Sequence, residues 1–166
     1  AYRLIGYENR LLRAEDFNDD RKDAGELGAG HTVTALYEII PSGVQSEFSK
    51  IDELKYQKNK VVAGSENSEE IMTIKFRYKK PEGSTSKLIV HPLVDKNTNL
   101  KSTSDNFRWA AAVAAFGMIL RESEYVKDLT CHDVLNLASS ARGMDENGYR
   151  IEFINMVKSV ETAYNK

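Results

Sequence analysis

Cys131, His132 and Asp133 are three chemically capable side chains in consecutive positions. Consecutive residues on a helix point about 100° apart, so they cannot converge on one metal or form a nucleophile–base pair without partners from elsewhere. Such partners are scarce. The chain has one cysteine and three histidines, and His31 and His91 fall at expected strand ends with no cysteine or paired carboxylate nearby. A zinc site or Cys–His catalysis is therefore not expected. The triplet reads instead as a helix first turn, with Asp133 favourably placed at the N-terminus. No residue is assigned a catalytic, cofactor-binding or metal-ligating role, no cofactor is expected, and the chain is not expected to be an enzyme.

The stretch "DDRKDAGELGAGHTVTALYEI", residues 19–39, could instead serve an ion or a phosphate. An EF-hand loop needs oxygen ligands at alternate positions, then a glycine, then a distant glutamate. Aligning Asp16, Asn18 and Asp20 puts Arg21 where the glycine belongs and Leu27 where the glutamate belongs. Arg21 and Lys22 would also repel the ion. A small-ligand or calcium-binding role for residues 16–26 stays as the alternative reading. A phosphate cradle delivers its anion to a helix N-terminus, whereas "GELGAG" runs into a strand. Gly25, Gly28 and Gly30 are expected to supply positive φ angles and close backbone packing at the strand entry.

Lys75, Arg77, Lys79, Lys80 and Lys87 form a basic set interleaved with Phe76 and Tyr78. The alternation turns those aromatics toward the core, where they could not stack on bases. A solvated face protected against edge-to-edge pairing is expected, and nucleic acid is not expected as a partner. The overall balance agrees: 23 Lys and Arg against 25 Asp and Glu give a net charge of −2, with no bulk attraction to polyanions. The longest apolar run, "WAAAVAAFGMIL" at 109–120, is shorter than the roughly 20 residues a membrane span needs. It reads as a buried helix, and no membrane insertion by this domain is expected. One cysteine leaves the redox compartment open.

The elements that would position these groups divide the chain. Residues 1–100 read as mainly β and 101–166 as mainly α, within a single domain at 1–166. Tyr2 to Tyr7 reads as a strand. "HTVTALYEII" alternates, with Val33, Ala35, Tyr37 and Ile39 on one face and Thr32, Thr34 and Glu38 on the other. Met72, Ile74, Phe76 and Tyr78 should point inward, with Thr73, Lys75, Arg77 and Lys79 outward. A turn at Pro81 and Gly83 returns the chain through "KLIVHPL", with Leu88 and Val90, as an antiparallel hairpin. Residues 41–69 are polar; "LKYQ" and "KVVA" are candidate edge strands and "GSENSEE" a loop.

Beyond residue 100 the period becomes helical. A helix over 106–121 should bury Trp109, Val113, Phe116 and Leu120. Thr130 with Asp133 suggests a capping box opening a second helix through Val134, Leu135, Leu137, Ala138 and Ala141, ended by Gly143. A third follows Gly148 with Phe153, Val157, Val160 and Tyr164 in its stripe. The expected class is α+β: an antiparallel, sandwich-like sheet region whose apolar face is partly covered by about three C-terminal helices.

The same stretches carry a resemblance. "YRLIGYENRLLRAEDFNDDRKDAGELGAGHTVTALYEI" closely resembles the segment that follows the von Willebrand factor type A domain in a family of bacterial proteins. The likeness continues through "FRYKKPEGSTSKL", "FRWAAAVAAFGMILRESEY" and "GYRIEFINMVKSV", and is least at 41–69. It implies a C-terminal domain of a larger protein, with its own upstream type A domain and other proteins as partners, and a parent at the bacterial cell envelope or periplasm. Type A domains typically bind a divalent cation through an Asp-x-Ser-x-Ser loop, and that motif does not occur in these residues, so no metal site is carried over. The start at Ala1 suggests a cut fragment, in which an upstream strand could be missing from the edge at residues 2–8. The resemblance thus implies a non-enzymatic accessory or interaction domain.

Overall fold

A computed structural model of the chain describes residues 1–7, 12–22, 27–41, 44, 69–126 and 128–164. The candidate edge strands "LKYQ" and "KVVA", and residues 64–68 of the expected loop, lie outside the described residues. The protein is α+β, with strands in the N-terminal part and helices in the C-terminal part. Two compact units divide it, Ala1–Asn97 and Thr98–Lys166.

The N-terminal unit contains two antiparallel two-stranded sheets among its described residues. In the first, β1 (Tyr2–Ile5) pairs with β2 (Leu36–Ile39), Tyr2 opposite Ile39 and Leu4 opposite Tyr37. The cross-strand pair Arg3–Glu38 closes at 2.6 Å. Both strands are shorter than expected. β1 stops because Gly6 and Tyr7 turn left-handed, at φ +76° and +59°. β2 takes up only the end of the expected alternating run: Val33 and Ala35 lie outside it, exposed, and Tyr37 within it is half exposed; a two-stranded ribbon buries little on either face.

The second sheet joins β3 (Glu70–Tyr78) to β4 (Lys87–Val94). Its connection includes a Lys80–Gly83 turn, in which the Gly83 N–H donates to the Lys80 carbonyl at 2.8 Å. Pro81 sits second, where its fixed φ suits a turn. The hairpin is as the sequence implied, but its register differs by one on the return strand. Phe76 faces Ile89, Ile74 faces His91 and Tyr78 faces Lys87. Leu88 and Val90 pair with Arg77 and Lys75, on the opposite face from Phe76. β4 is apolar at 88, 89 and 90 in succession, so hydropathy alone could not choose which of its faces matches β3.

The C-terminal unit is built from α1 (Asp105–Leu120), α2 (Cys131–Ser140) and α3 (Tyr149–Tyr164). Ser104 caps α1, accepting from the Phe107 N–H at 3.2 Å. The capping box of α2 forms as expected: the Asp133 N–H donates to Thr130 Oγ1 at 3.2 Å, and the Thr130 N–H to Asp133 Oδ2 at 2.9 Å. Such caps are typically worth about 1 kcal/mol. Gly143 leaves α2 at φ +63°, the left-handed exit that favours glycine.

α3 is capped from a distance. Asp145 reaches forward to accept from the N–H groups of Arg150 at 3.0 Å and Ile151 at 2.8 Å. Those amides have no partner inside the helix and meet the carboxylate at the positive end of its dipole. The hydrogen bond from Arg150 is the leading reason the Asp145 carboxyl is held below its usual range.

The core lies among the helices. Ala112, Ala115, Phe116, Val134, Ala138, Ala141, Ile154 and Val157 are buried, with Trp109, Ile119, Phe153 and Val160 packed partly against them. Phe153 meets Trp109 and Phe116 edge-on, ring centres 5.2 and 5.6 Å apart, the geometry aromatic quadrupoles prefer. The buried side of α1 is rotated from the expected one. Val113 and Leu120 are exposed, and alanines 112 and 115 take their place beside Phe116. Alanine lets neighbouring helices approach closely and surrenders no rotamer freedom. The α2 stripe of Val134, Ala138 and Ala141 and the α3 pair Phe153 and Val157 match expectation; the Tyr164 side chain lies outside the described residues.

Candidate functional site

The Cys131–Asp133 triplet sits at the start of α2, as expected, and each side chain has separate surroundings. Asp133 is used by the capping box, and the hydrogen bond from the Thr130 side chain leads in holding its carboxyl low. His132 Nδ1 lies 3.7 Å from Glu161 on α3. Burial, and then the Glu161 charge, push the Cys131 thiol up, the reverse of what activates a nucleophile. His31 follows a turn, and His91 lies in the middle of β4 opposite Ile74 rather than at a strand end.

The acidic segment forms a short 3₁₀ turn at Ala14–Asn18 and runs to the turn end of the β3–β4 hairpin. Arg77 joins the two. Its Nη1 donates to Asn18 Oδ1 at 2.8 Å and its Nε to Ser86 Oγ at 2.8 Å, while Asp20 Oδ1 lies 3.7 Å from Nη2. The Ser86 N–H donates to Asp20 Oδ2 at 3.2 Å, and Lys79 Nζ donates to the Asp20 carbonyl. Phe17 lies beneath the Arg77 guanidinium, 6.0 Å from its carbon. Arg77 and Lys79, expected as solvated charges, therefore clamp a loop. Arg77 could have been found from its pairing with Leu88, which places it near Ser86, but its loop partners are about 60 positions away in sequence.

The described carboxylates of the segment, Asp16, Asp19 and Asp20, face internal donors. Asp19 accepts two bonds from the Arg21 side chain, at 2.9 and 3.0 Å, and a third from its backbone N–H at 3.1 Å, and Asp16 lies 3.6 Å from Lys22. Arg21 holds the Asp19 carboxyl low and Ser86 does the same for Asp20, in each case chiefly by side-chain hydrogen bonding. Among the described residues no group of three or more His, Cys, Asp or Glu is placed to hold a metal ion. Gly30 takes φ +81° as third residue of a turn closed by His31 N–H to Gly28 O at 3.1 Å, the position where a type II turn needs glycine. Gly28 has no left-handed φ, but a Cβ there would come within 3.1 Å of the His31 ring. Gly25 lies outside the described residues.

A depressed folded-state pKa stabilises the ionised form, so the Asp20 contribution is complete above the unfolded value near 3.8 and disappears as pH falls through the lower folded value. The Ser86 amide proton should report it in an NMR titration, shifting with a midpoint below 3.8. A midpoint at or above that value, or an unchanged titration in Asp20→Asn, would show that the carboxylate does not hold this amide.

The larger surface feature is apolar. On one face of the hairpin Ile74, Phe76, Tyr78 and Ile89 are exposed by 45, 48, 41 and 51%. The Phe76 and Tyr78 rings are near parallel, 6.5 Å apart and 21° between planes. The expectation that these side chains point into a core is thus corrected, because among the described residues no second layer covers this two-stranded ribbon. The ground on which nucleic acid was set aside, inward-facing aromatics, falls with it. α1 carries a second uncovered face, where Val113 and Leu120 are exposed by 42 and 48%. No helix among the described residues is long and apolar enough to cross a membrane.

The described residues thus form an α+β chain whose polar groups cap, clamp and fasten while two apolar faces stand open. Its family model is described as the C-terminal part of the uncharacterized protein YfbK; it matches residues 1–163, and the chain belongs to that family. It is 40% identical over 157 residues to the uncharacterized protein YfbK of Escherichia coli (strain K12). That alignment covers 95% of this chain and 26% of the relative, so the chain spans about a quarter of the length of the curated relative it matches. No solved structure matches the chain.

Proposed function

We propose that this chain is a non-enzymatic accessory domain that works by protein–protein contact, supporting a von Willebrand factor type A domain of the same polypeptide at the bacterial cell envelope. The observation that carries the reading is α1. From Trp109 to Leu120 it has no charged side chain, yet its own unit buries only the side bearing Ala112, Ala115 and Phe116. A helix apolar all round belongs in an interior. The side with Val113 and Leu120 therefore suits a neighbouring protein surface, and the stretch of relative beyond the match makes another part of the same polypeptide the natural source. The raised thiol pKa of Cys131 and the use of Asp133 in a cap support a non-catalytic role.

The test is to mix the chain with a type A domain from the same polypeptide and follow amide exchange in α1. Slowed exchange and a raised melting temperature are expected, since binding only to the folded state adds about 2.7 kcal/mol at a hundredfold excess over Kd. Val113→Asp with Leu120→Asp should abolish both effects without lowering the melting temperature of the chain alone. Unchanged exchange on mixing would overturn the proposal.

A further inference from the structure

The apolar face of the β3–β4 hairpin is flanked by opposite charges at its two ends. The turn end carries Lys80 and Lys87 against Glu82, and the open end carries Glu69, Glu70 and Asp95 against Lys96. Between them the face bearing Ile74, Phe76, Tyr78 and Ile89 holds no carboxylate. The acidic loop does not cancel this polarity, because it fastens through Arg77 and Lys79, and its Asp16, Asp19 and Asp20 stand beside Lys22, Arg21 and Arg77.

We propose that this face is a self-association surface on which a second copy of the chain packs face to face, strands antiparallel, about a two-fold axis. An isologous contact requires each patch to complement itself. With strands antiparallel, the lysine end of one copy lies over the carboxylate end of the other, twice. The parallel arrangement would set lysines over lysines and carboxylates over carboxylates, which is unfavourable. The apolar centre then gains the second layer that a lone ribbon lacks, aromatic rings included. A face two strands wide is smaller than the roughly 800 Å² each partner gives a standard interface, so the dimer is weak and concentration-dependent. The surface is separate from the α1 face invoked above.

Sedimentation of the whole chain from about 5 to about 500 µM should show reversible dimerisation. Lys80→Glu with Lys87→Glu makes both ends acidic, and Glu69→Lys with Glu70→Lys makes both ends basic. Each variant alone should dimerise at least about tenfold more weakly than the parent chain. Mixed in equal amounts, the two should form a heterodimer at least as readily as the parent forms its homodimer, because opposite charges again meet at both ends. Phe76→Ser with Ile89→Ser should be monomeric whatever it is mixed with. Circular dichroism of every variant confirms that folding is retained. A parent chain monomeric throughout the range, including one that binds a single-stranded oligonucleotide through Phe76 and Tyr78 instead, overturns the proposal. So does a charge pair that fails to recover dimerisation on mixing while both variants are folded.

Discussion

Phe116→Ala is expected to destabilise the helical unit by about 3–5 kcal/mol, the range for truncating a buried aromatic. Phe116 is only 3% exposed and lies edge-on to Phe153 at 5.6 Å. Its neighbours on α1 and α2 include Ala112, Ala115 and Ala138, which have no side-chain length to swing into a void. The cavity should therefore remain largely open, placing the loss toward the upper part of that range. Because total stability of a domain is only about 5–15 kcal/mol, the variant should unfold at a much lower urea concentration. Val113→Ala is the control, since Val113 is exposed and its loss should stay within about 0.5 kcal/mol. Equal urea midpoints for the two variants would mean that the buried side of α1 has been placed wrongly.

Replacing Arg150 should produce the second large effect. Its Nη1 donates to the Ala141 carbonyl at 2.6 Å and its Nη2 to Asn106 Oδ1 at 2.8 Å, while the guanidinium carbon lies 5.0 Å from the Trp109 ring centre. One side chain of α3 thereby satisfies a carbonyl at the end of α2 and fastens the start of α1. Hydrogen bonds to a charged group contribute about 1.5–3 kcal/mol each before the cation–ring contact is considered. Arg150→Ala should cost about 2–4 kcal/mol, less than the sum because the groups it leaves are partly reached by water. Arg150→Lys should recover little, since an ammonium cannot span two acceptors and lie flat on an indole together. Full recovery by lysine would show that only the positive charge matters.

Much of this fold could be read from local pattern. Thr130 and Asp133 specify the start of α2 through a contact three residues long, and Gly143 marks its exit. Pro81 and Gly83 place the hairpin turn. What could not be read depends on which of two similar faces is covered. The run 109–120 is uncharged on every side, so a stripe through Val113 and Leu120 and a stripe through Ala112 and Ala115 satisfy the same period; side-chain size favours the first and close helix approach selects the second. Ile89 beside Leu88 and Val90 presented the same ambiguity in β4. Phe76 and Tyr78 alternate as core residues do, but alternation shows only that two faces differ, not that either is buried. The clamp at Arg77 and the cap from Asp145 were illegible for another reason. The loop partners of Arg77 lie about 60 positions away, and Asp145 caps amides five and six positions on, outside the three-residue spacing that marks a capping box.

All the buried apolar side chains described belong to one contiguous stretch, between Ala112 and Val157. Stability should therefore be graded along the polypeptide rather than shared. The slowest-exchanging amides belong in α1, α2 and α3, where opening requires the core to come apart, while each two-stranded ribbon can open alone at small cost. A protease given limiting time would cut within the first 97 residues and leave a resistant helical remnant. Helices that pack on their sequence neighbours also close short loops, so that remnant should refold within milliseconds, ahead of the ribbons.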